Sequence, residues 1–326
     1  MISDARLRDA GQVVEAEGLG GASDVRWVGR GMWRRGNIGG WFIAPFMVMF
    51  LAFALVPLGY SICISFFTSR LIGGTRFSGL ENYIAIFNSV QFWSGMLRVL
   101  LFAAIEIPIL LGLAVLFATM FDLGIARFGR MFRAVFLLPF AVPGVVAAIM
   151  WSFLLEAQFG PVSRLGAALG LGRWDVLSPG LLLPSIVVIV LWEWTGYNMV
   201  IVFTALKAVP REVVEAAMID GASYGRIVRS VKVPMIGNAL TLLGILNVIG
   251  ALQLFTEPNI LSSFTPNVSY GFTPSLFLYH TAIGNDQFNL AAAGAVVLAL
   301  VIIGLSVVSW FVRRRAGSAS REIVGV

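Results

Sequence analysis

The sequence predicts an all-α, polytopic membrane protein with six transmembrane helices. Of the 326 residues, 58% are hydrophobic and 12% are charged, which is about half the charged share of an average soluble domain. The mean hydropathy is +0.88, and the 35 glycines suit lipid, where glycine is tolerated inside helices. A water-soluble globule needs more polar surface than this composition provides.

Six apolar runs have the length needed to cross a bilayer. A hydrocarbon core of about 30 Å requires about 20 residues of helix. The runs cover residues 41–67, 95–120, 131–155, 181–206, 235–256 and 288–312. They are continuous, whereas the strands of a membrane barrel alternate apolar and polar residues. The first run is too long for the core of a signal peptide, so it is also predicted to be a retained helix.

Two of these runs contain prolines that are predicted to kink their helices. Pro45 and Pro57 lie in the first run, and Pro139 and Pro143 lie in the third. Each proline removes a backbone donor from its helix. A kinked helix can line a cavity, but prolines are also common in membrane helices that line none, so the sequence leaves both interpretations open.

The positive charges predict the orientation of the chain, because Lys and Arg resist translocation and stay in the cytoplasm. One side of the predicted topology carries 18 of them and the other carries 5. The smaller group consists of Arg70, Arg76, Arg98, Arg164 and Arg173. Both termini and the loop at residues 207–234 are therefore predicted to be cytoplasmic. The net charge of +6 then reflects topology, and a nucleic-acid partner is not expected.

Three regions are predicted along the chain. Residues 1–40 contain six arginines and five acids and predict a solvated cytoplasmic arm. Residues 41–312 form the transmembrane domain, and residues 313–326 form a cytoplasmic tail. The single cysteine, Cys63, excludes an intrachain disulfide, a redox pair and a cysteine-built zinc site.

The loop at residues 207–234 is the most informative segment. Pro210 and the early acids Glu212 and Glu215 are typical of a helix start, and Gly221 has the conformational freedom that a sharp turn needs. The loop is therefore predicted to form two short helices with a hinge between them. The apolar residues that recur at helical spacing on one face are Val214, Ala217, Met218 and Gly221. Such a face suits docking into the groove of another protein, although an amphipathic helix can also simply lie on the membrane surface.

The spacing in this loop resembles the coupling loop of the permease subunits of ATP-binding-cassette (ABC) importers. That pattern is Glu-Ala-Ala, three residues, Gly, nine residues, Ile, one residue and Leu-Pro. The matching residues here are Glu215, Ala216, Ala217, Gly221 and Pro234. The sequence Asp220-Gly221-Ala222 matches the sugar-importing branch, and Val231 and Val233 replace the usual Ile and Leu without changing the apolar character.

The resemblance extends over most of residues 41–312. It includes the Gly-Leu-Glu-Asn-Tyr sequence at residues 79–83, the stretch at residues 252–258 and Leu278-Tyr279. Along the third run it includes Arg133, Pro139, Pro143 and Trp151. The chain ends without the extended final motif of the second permease of such pairs. It therefore resembles the first permease of the maltose- and lactose-type carbohydrate branch, with the type I importer permease fold and a bacterial inner-membrane location.

This resemblance implies a set of partners. They are a second permease, two cytoplasmic ATP-binding subunits, an extracytoplasmic solute-binding protein and a sugar substrate. The residues implied in coupling to the ATPase are Glu215, Ala216, Ala217, Met218, Asp220, Gly221 and Pro234. A P-loop needs a Gly-Lys pair, but the only lysines, Lys207 and Lys232, do not follow glycine. The chain is therefore not expected to be an enzyme or to hold a cofactor, and ATP and Mg²⁺ are expected in the partner subunits.

Polar residues inside the predicted helices are candidates for a substrate pathway, because they are costly in lipid. The candidates are Glu193, Trp194, Tyr197, Asn198, Asn247 and Gln253. Carboxylates can accept sugar hydroxyl hydrogens and aromatic rings can stack on sugars. Interhelical hydrogen bonds and an aromatic belt explain the cluster at residues 193–198 equally well. A partly polar stripe such as that of Asn247 and Gln253 more often serves close helix packing than solute contact. For Glu106 a structural bond and a pore lining both remain open.

Two other classes of function were compared with the importer. An ion-coupled secondary transporter would use Glu106 and Glu193 as a proton relay, but it often has paired repeats and would leave the loop pattern unexplained. An intramembrane enzyme would need catalytic groups. His280 is the only histidine, no His-Glu-x-x-His or Gly-x-Ser-x-Gly motif is present, and no acid pair is expected to face itself across two helices. No metal site is expected either.

Overall fold

The computed structural model describes residues 36–70, 74–123, 129–170 and 172–324. The predicted arm lies outside the described residues up to position 35. The chain divides into two units, residues 1–57 and 58–326. In the first unit α1 runs over Gly36–Phe50 and is followed by a π-helical turn at Leu51–Leu55. Its described side chains from residue 41 onwards are all exposed, as in a helix surrounded by lipid or by partner helices.

The second unit begins within α2, which covers Val56–Ile64. A two-stranded antiparallel hairpin follows, with β1 at Phe67–Arg70 and β2 at Gly74–Phe77. It pairs Phe67 with Phe77 and was not expected from the sequence. The short helix α3, Glu81–Phe87, comes next.

The Gly-Leu-Glu-Asn-Tyr segment at residues 79–83 anchors this region. The buried Asn82 donates hydrogen bonds of 2.8 Å from Nδ2 to the carbonyl oxygens of Ser65 and Phe67. The hydroxyls of Tyr83 and Ser65 lie 2.7 Å apart. The motif therefore ties the end of the first membrane helix to α3, because a buried carbonyl must find a partner.

The third predicted span is broken instead of only kinked. α4 covers Val90–Asp122, and it is followed by α5, Gly129–Ala141, and α6, Gly144–Leu155. The axes of α5 and α6 differ by 93°. Pro143 precedes the first residue of α6 and has no backbone N–H to donate a hydrogen bond to the turn before it. The break between α5 and α6 therefore lies at the predicted proline.

The remaining helices are numbered in chain order. They are α7 (Pro161–Ala168), α8 (Leu182–Lys207), α9 (Arg211–Ile219), α10 (Tyr224–Ile227), α11 (Val233–Met235), α12 (Gly237–Leu252), α13 (Thr256–Leu261), α14 (Pro274–Tyr279) and α15 (Phe288–Val324). π-Helical turns lie at Val228–Lys232 and His280–Gly284. Within the described residues five helices are long and apolar enough to cross a membrane, and six if the bent pair counts as one span. The six-span prediction is therefore confirmed with one broken span.

Helix α8 is the centre of the second unit and packs against α4, α5, α6, α12 and α13. One core cluster joins Phe102 of α4 to Ile186 and Ile189 of α8 and to Leu261 of α13. This arrangement positions the polar residues of α8 between α4 and α12, where the cavity described below is found.

Candidate coupling surface and translocation cavity

The loop at residues 207–234 contains the predicted hinge. α9 begins after Pro210 and ends at Gly221, whose φ is +76°. The amide of Ala222 donates to the carbonyl of Ala217, and the amide of Gly221 donates to that of Met218, both at 3.0 Å. This is the Schellman arrangement, in which a glycine in the left-handed region ends the helix. Gly221 therefore sets the angle at which α9 is presented.

The apolar residues of α9 differ in how far they are exposed. Val214 and Ala217 are half-buried, whereas Met218 is 53% exposed and Ile219 is 86% exposed. The apolar face predicted from spacing is therefore partly covered and partly exposed, and its role in docking stays a prediction. Ile219 was missed because its spacing does not match the other apolar positions. Of the remaining predicted coupling residues, all are exposed: Glu215, Ala216, Asp220, Gly221 and Pro234.

A buried ion cluster joins the two ends of this loop. Lys207 Nζ donates to Asp122 Oδ1 at 2.8 Å, and Lys232 Nζ donates to Asp122 Oδ2. The Asp122 side chain is 7% exposed and that of Lys232 is 10% exposed. Both lysines of the chain thus bind one carboxylate at the end of α4.

Aromatic rings surround this cluster. Lys232 Nζ lies 5.5 Å from the ring centre of Tyr224, and Lys207 Nζ lies 5.3 Å from that of Phe203. Burial, and next the negative charge of Asp122, raise the pKa of the Tyr224 hydroxyl. One signal for the cluster is visible in the sequence, because Asp122 is an acid at the end of a long apolar run, but its partners are 85 and 110 residues away.

A cavity of about 350 Å³ lies between α4, α8, α12 and residues 253–257. Five of the six predicted pathway residues line it, namely Trp194, Tyr197, Asn198, Asn247 and Gln253. Glu106 of α4 also lines it. Glu193 is buried and does not line this cavity, so its place in the substrate pathway stays a prediction. Glu257, which the sequence analysis did not select, faces the cavity instead.

Glu193 and Glu257 form an acid pair across α8 and α13. Their side chains interact with each other, and Oε1 of Glu193 has no hydrogen-bond partner within the described part of the chain. The expectation that no acid pair faces itself across two helices was therefore wrong. Helix α13 follows directly on the predicted fifth span, and no local pattern in the sequence indicates its approach to α8.

The amides in the cavity are partly used for helix packing. Asn247 Nδ2 donates to Asn198 Oδ1 at 3.0 Å and to the carbonyl of Leu243 at 2.8 Å. Asn198 Nδ2 donates to the carbonyl of Trp194 at 3.0 Å. The interhelical hydrogen bond that the sequence left as one alternative is thus present between α12 and α8.

The rest of the lining includes aromatic rings and carboxyl groups. The Tyr197 ring stacks on Phe140 at 4.6 Å and meets Trp194 edge-on at 5.9 Å. Glu106 is 3% exposed and makes no hydrogen bond or ion pair with any residue that the structure describes. The lining residues include no Lys, Arg or His. The cavity therefore combines aromatic rings, free carboxyl oxygens and amides, which suits polar, uncharged ligands.

His280 lies apart from both sites. It begins the second π-helical turn of the second unit and contacts the rings of Tyr270 and Tyr279. Across the described ranges no group of three or more His, Cys, Asp or Glu side chains could hold a metal ion.

Residues 83–317 match the sequence model of the family described as the binding-protein-dependent transport system inner membrane component. The chain is 29% identical over 288 residues to the lactose transport system permease protein LacF of Rhizobium radiobacter, covering 85% of this chain and 95% of the relative. It is 28% identical over 277 residues to the sn-glycerol-3-phosphate transport system permease protein UgpA of Yersinia pseudotuberculosis, covering 84% and 93%.

The fold is also similar to that of a solved structure. A chain from a bacterial ABC transporter involved in the import of the acidic polysaccharide alginate matches with a TM-score of 0.76 at 18% identity, over 86% of this chain and 96% of that one. A second structure of a bacterial alginate ABC transporter, in complex with an alginate pentasaccharide-bound periplasmic protein, matches with a TM-score of 0.75. At this identity the match supports the helical permease fold.

Proposed function

Because the chain belongs to the family of binding-protein-dependent transport system inner membrane components, we propose that it is the permease subunit of an ATP-driven importer of a sugar or related polyol. The observation that carries the proposal is the exposed helix α9, which ends in the Schellman turn at Gly221. Such a helix can dock into a groove on another protein. ATP hydrolysis then belongs to that other protein.

The proposed assembly contains this chain, a second, non-identical permease, two cytoplasmic ATP-binding subunits and an extracytoplasmic solute-binding protein. Both termini and the loop at residues 207–234 are cytoplasmic in this arrangement. ATP and Mg²⁺ are held by the ATP-binding subunits, and this chain holds no cofactor. The continuous apolar composition of residues 41–64 supports the placement of the first span in the membrane.

The mechanism begins at α9. Closure of the ATP-binding subunits moves α9 through its exposed residues Met218 and Ile219, with Glu215 on the rim. The loop connects α8 to α12, so its displacement tilts both helices. Because α8 and α12 form two walls of the cavity, this tilt changes access to the solute.

The proposed solute is a polyhydroxylated molecule without an anionic group. Glu106 and Glu257 repel anions when they are ionised, and they exchange hydrogen bonds with hydroxyl groups when they are protonated. In neither state does the lining offer a cation for a phosphate or a uronate. Of the relatives, LacF is named for a neutral sugar and UgpA for a phosphate ester, and the lining favours the first kind.

Reconstitution in liposomes tests the proposal. The purified importer, with its binding protein and a radiolabelled lactose, maltose or sorbitol, is expected to take up one of these solutes with ATP inside the liposomes and no ion gradient. Galacturonate and glycerol 3-phosphate serve as anionic solutes, and uptake of these instead would contradict the proposed solute class.

The same liposomes test the second candidate function, an ion-coupled secondary transporter. Its support is that Glu106 and Glu193 are buried carboxyl groups within membrane helices, where such groups often relay protons. That function predicts uptake by this chain alone under a proton gradient, and loss of uptake in Glu106→Gln. ATP-driven uptake that persists in a proton-permeable membrane excludes it.

A further inference from the structure

We propose that Asp122 is a positioning residue that fastens both ends of the coupling loop to the end of α4. A displacement of the loop then moves α4 together with α8 and α12. This inference rests on the proposed function, because it concerns how force from the ATP-binding subunits reaches the cavity. It adds a third helix to the two that the loop connects covalently.

The argument starts from where the three residues lie in the chain. Lys207 is the last residue of α8, immediately before the loop, and Lys232 is the last residue of the π-helical turn that precedes α11. Each of the two ammonium groups binds a different oxygen of the Asp122 carboxylate. The two ends of the loop therefore cannot separate from each other or from α4 without breaking an ion pair.

Burial indicates which of the two ion pairs is the stronger. The Lys207 side chain is half-exposed, and an exposed pair contributes little because water and salt screen it. The side chains of Lys232 and Asp122 are only 10% and 7% exposed, and removing one partner of a buried pair is strongly destabilising because the other charge remains without compensation. The ion pair between Lys232 and Asp122 is therefore the contact that holds the loop against α4.

The surroundings of the cluster favour a fixed geometry. Two lysines share one acid, and the second positive charge is compensated by aromatic rings, since cations are attracted to ring faces. The Tyr224 ring lies against Lys232. The Phe203 ring contacts both Lys207 and Arg133, whose guanidinium carbon is 4.4 Å from the ring centre. Tyr224 itself belongs to α10, so the second helix of the loop is also held at this point.

Helix α4 then connects the cluster to the cavity. Asp122 is the last residue of this 33-residue helix, and Glu106 and Phe102 of the same helix line the cavity. Sixteen residues separate Asp122 from Glu106, which corresponds to roughly 24 Å of helix. A movement of the loop end of α4 is therefore carried to the Glu106 wall by a continuous helix.

The test is the number of ATP molecules hydrolysed for each solute molecule taken up by the complete importer in liposomes. We expect Asp122→Asn to raise this ratio at least about threefold, since mutations in coupling networks change the coupling free energy by about 0.5–2 kcal/mol. Asp122→Glu keeps the carboxylate, so its ratio should stay close to that of the wild type. A merely structural role lowers the amount of intact importer, which reduces both rates in proportion and leaves the ratio unchanged. An unchanged ratio in Asp122→Asn overturns the inference.

Further variants keep the test decisive if Asp122→Asn does not assemble. Lys232→Met is expected to raise the ratio more than Lys207→Met, because only Lys232 is buried; equal, wild-type ratios in both overturn the inference. Glu81→Gln, which removes an exposed ion pair with Arg76 of 3.4 Å, is the matched control and should keep the wild-type ratio. If the proposed function itself is wrong, the result is different, because the wild-type importer then shows no ATP-driven uptake.

Discussion

A Cβ atom on Gly196 of α8 would lie 1.7 Å from the carbonyl oxygen of Phe136 in α5. Real contacts of this kind do not exist, so the backbones of α5 and α8 approach each other only because residue 196 has no side chain. Small residues at such contacts are the usual way in which membrane helices pack closely. The contact matters for function, because α8 forms one wall of the cavity.

Gly196→Ala is expected to destabilise the protein by about 2–3 kcal/mol or more, because a methyl group at a backbone contact forces the two helices apart. Thermal unfolding of the purified chain in detergent measures the effect. Gly112→Ala in α4 is the matched control, since nothing lies within 4 Å of its added Cβ and alanine is the better helix former by about 1 kcal/mol. Equal stability of the two variants would contradict the close approach of α5 and α8.

Gly221→Ala is expected to weaken coupling without affecting packing. No atom lies within 4 Å of the added Cβ, but φ is +76°, and an alanine there costs about 1–2 kcal/mol. The angle of α9 should therefore change, and ATP-driven uptake should fall by about fivefold. Asparagine tolerates this conformation better than alanine, so Gly221→Asn should retain more uptake than Gly221→Ala. Lower uptake by the asparagine variant would argue against the Schellman turn as the cause of the loss.

Ile219→Asp is expected to prevent binding of the ATP-binding subunits while the chain itself stays folded. Ile219 is the most exposed of the apolar residues in α9, so a negative charge there costs the isolated chain only about 0.3–1 kcal/mol through the helix dipole, whereas it is costly in an apolar groove. Co-purification of the ATP-binding subunits should fall at least about tenfold. Ile219→Leu keeps the apolar surface and should co-purify normally; binding that survives the aspartate would place the docking surface elsewhere.

The sequence predicted those features that local patterns encode. The apolar runs, the start of α9 after Pro210 and the turn at Gly221 each depend on residues within one or two turns of helix. The hairpin at residues 67–77 was not predicted, because its strands are four residues long and are held in place by Asn82 outside them.

Contacts between distant segments were the other features that the sequence could not predict. Asp122 and Lys232 are 110 residues apart, and the approach of Glu257 to Glu193 depends on how α13, which continues from α12, packs against α8. The break near Pro143 was visible as a proline, but the angle of 93° depends on packing of α5 and α6 against α8. The half-burial of Val214 and Ala217 similarly depends on the rest of the chain and not on the spacing in α9.

The last prediction separates solute contact from helix packing in the cavity. Asn247 donates two hydrogen bonds within the protein, and such bonds in membrane proteins contribute about 0.6 kcal/mol each. Asn247→Ala should therefore lower the stability by about 1 kcal/mol in thermal unfolding. Gln253 is exposed at the cavity, and its side chain makes no hydrogen bond with the described residues, so Gln253→Ala should leave the stability unchanged and reduce only uptake. If both variants lose stability equally and transport normally for the amount of intact importer, these amides serve packing and the solute passes elsewhere.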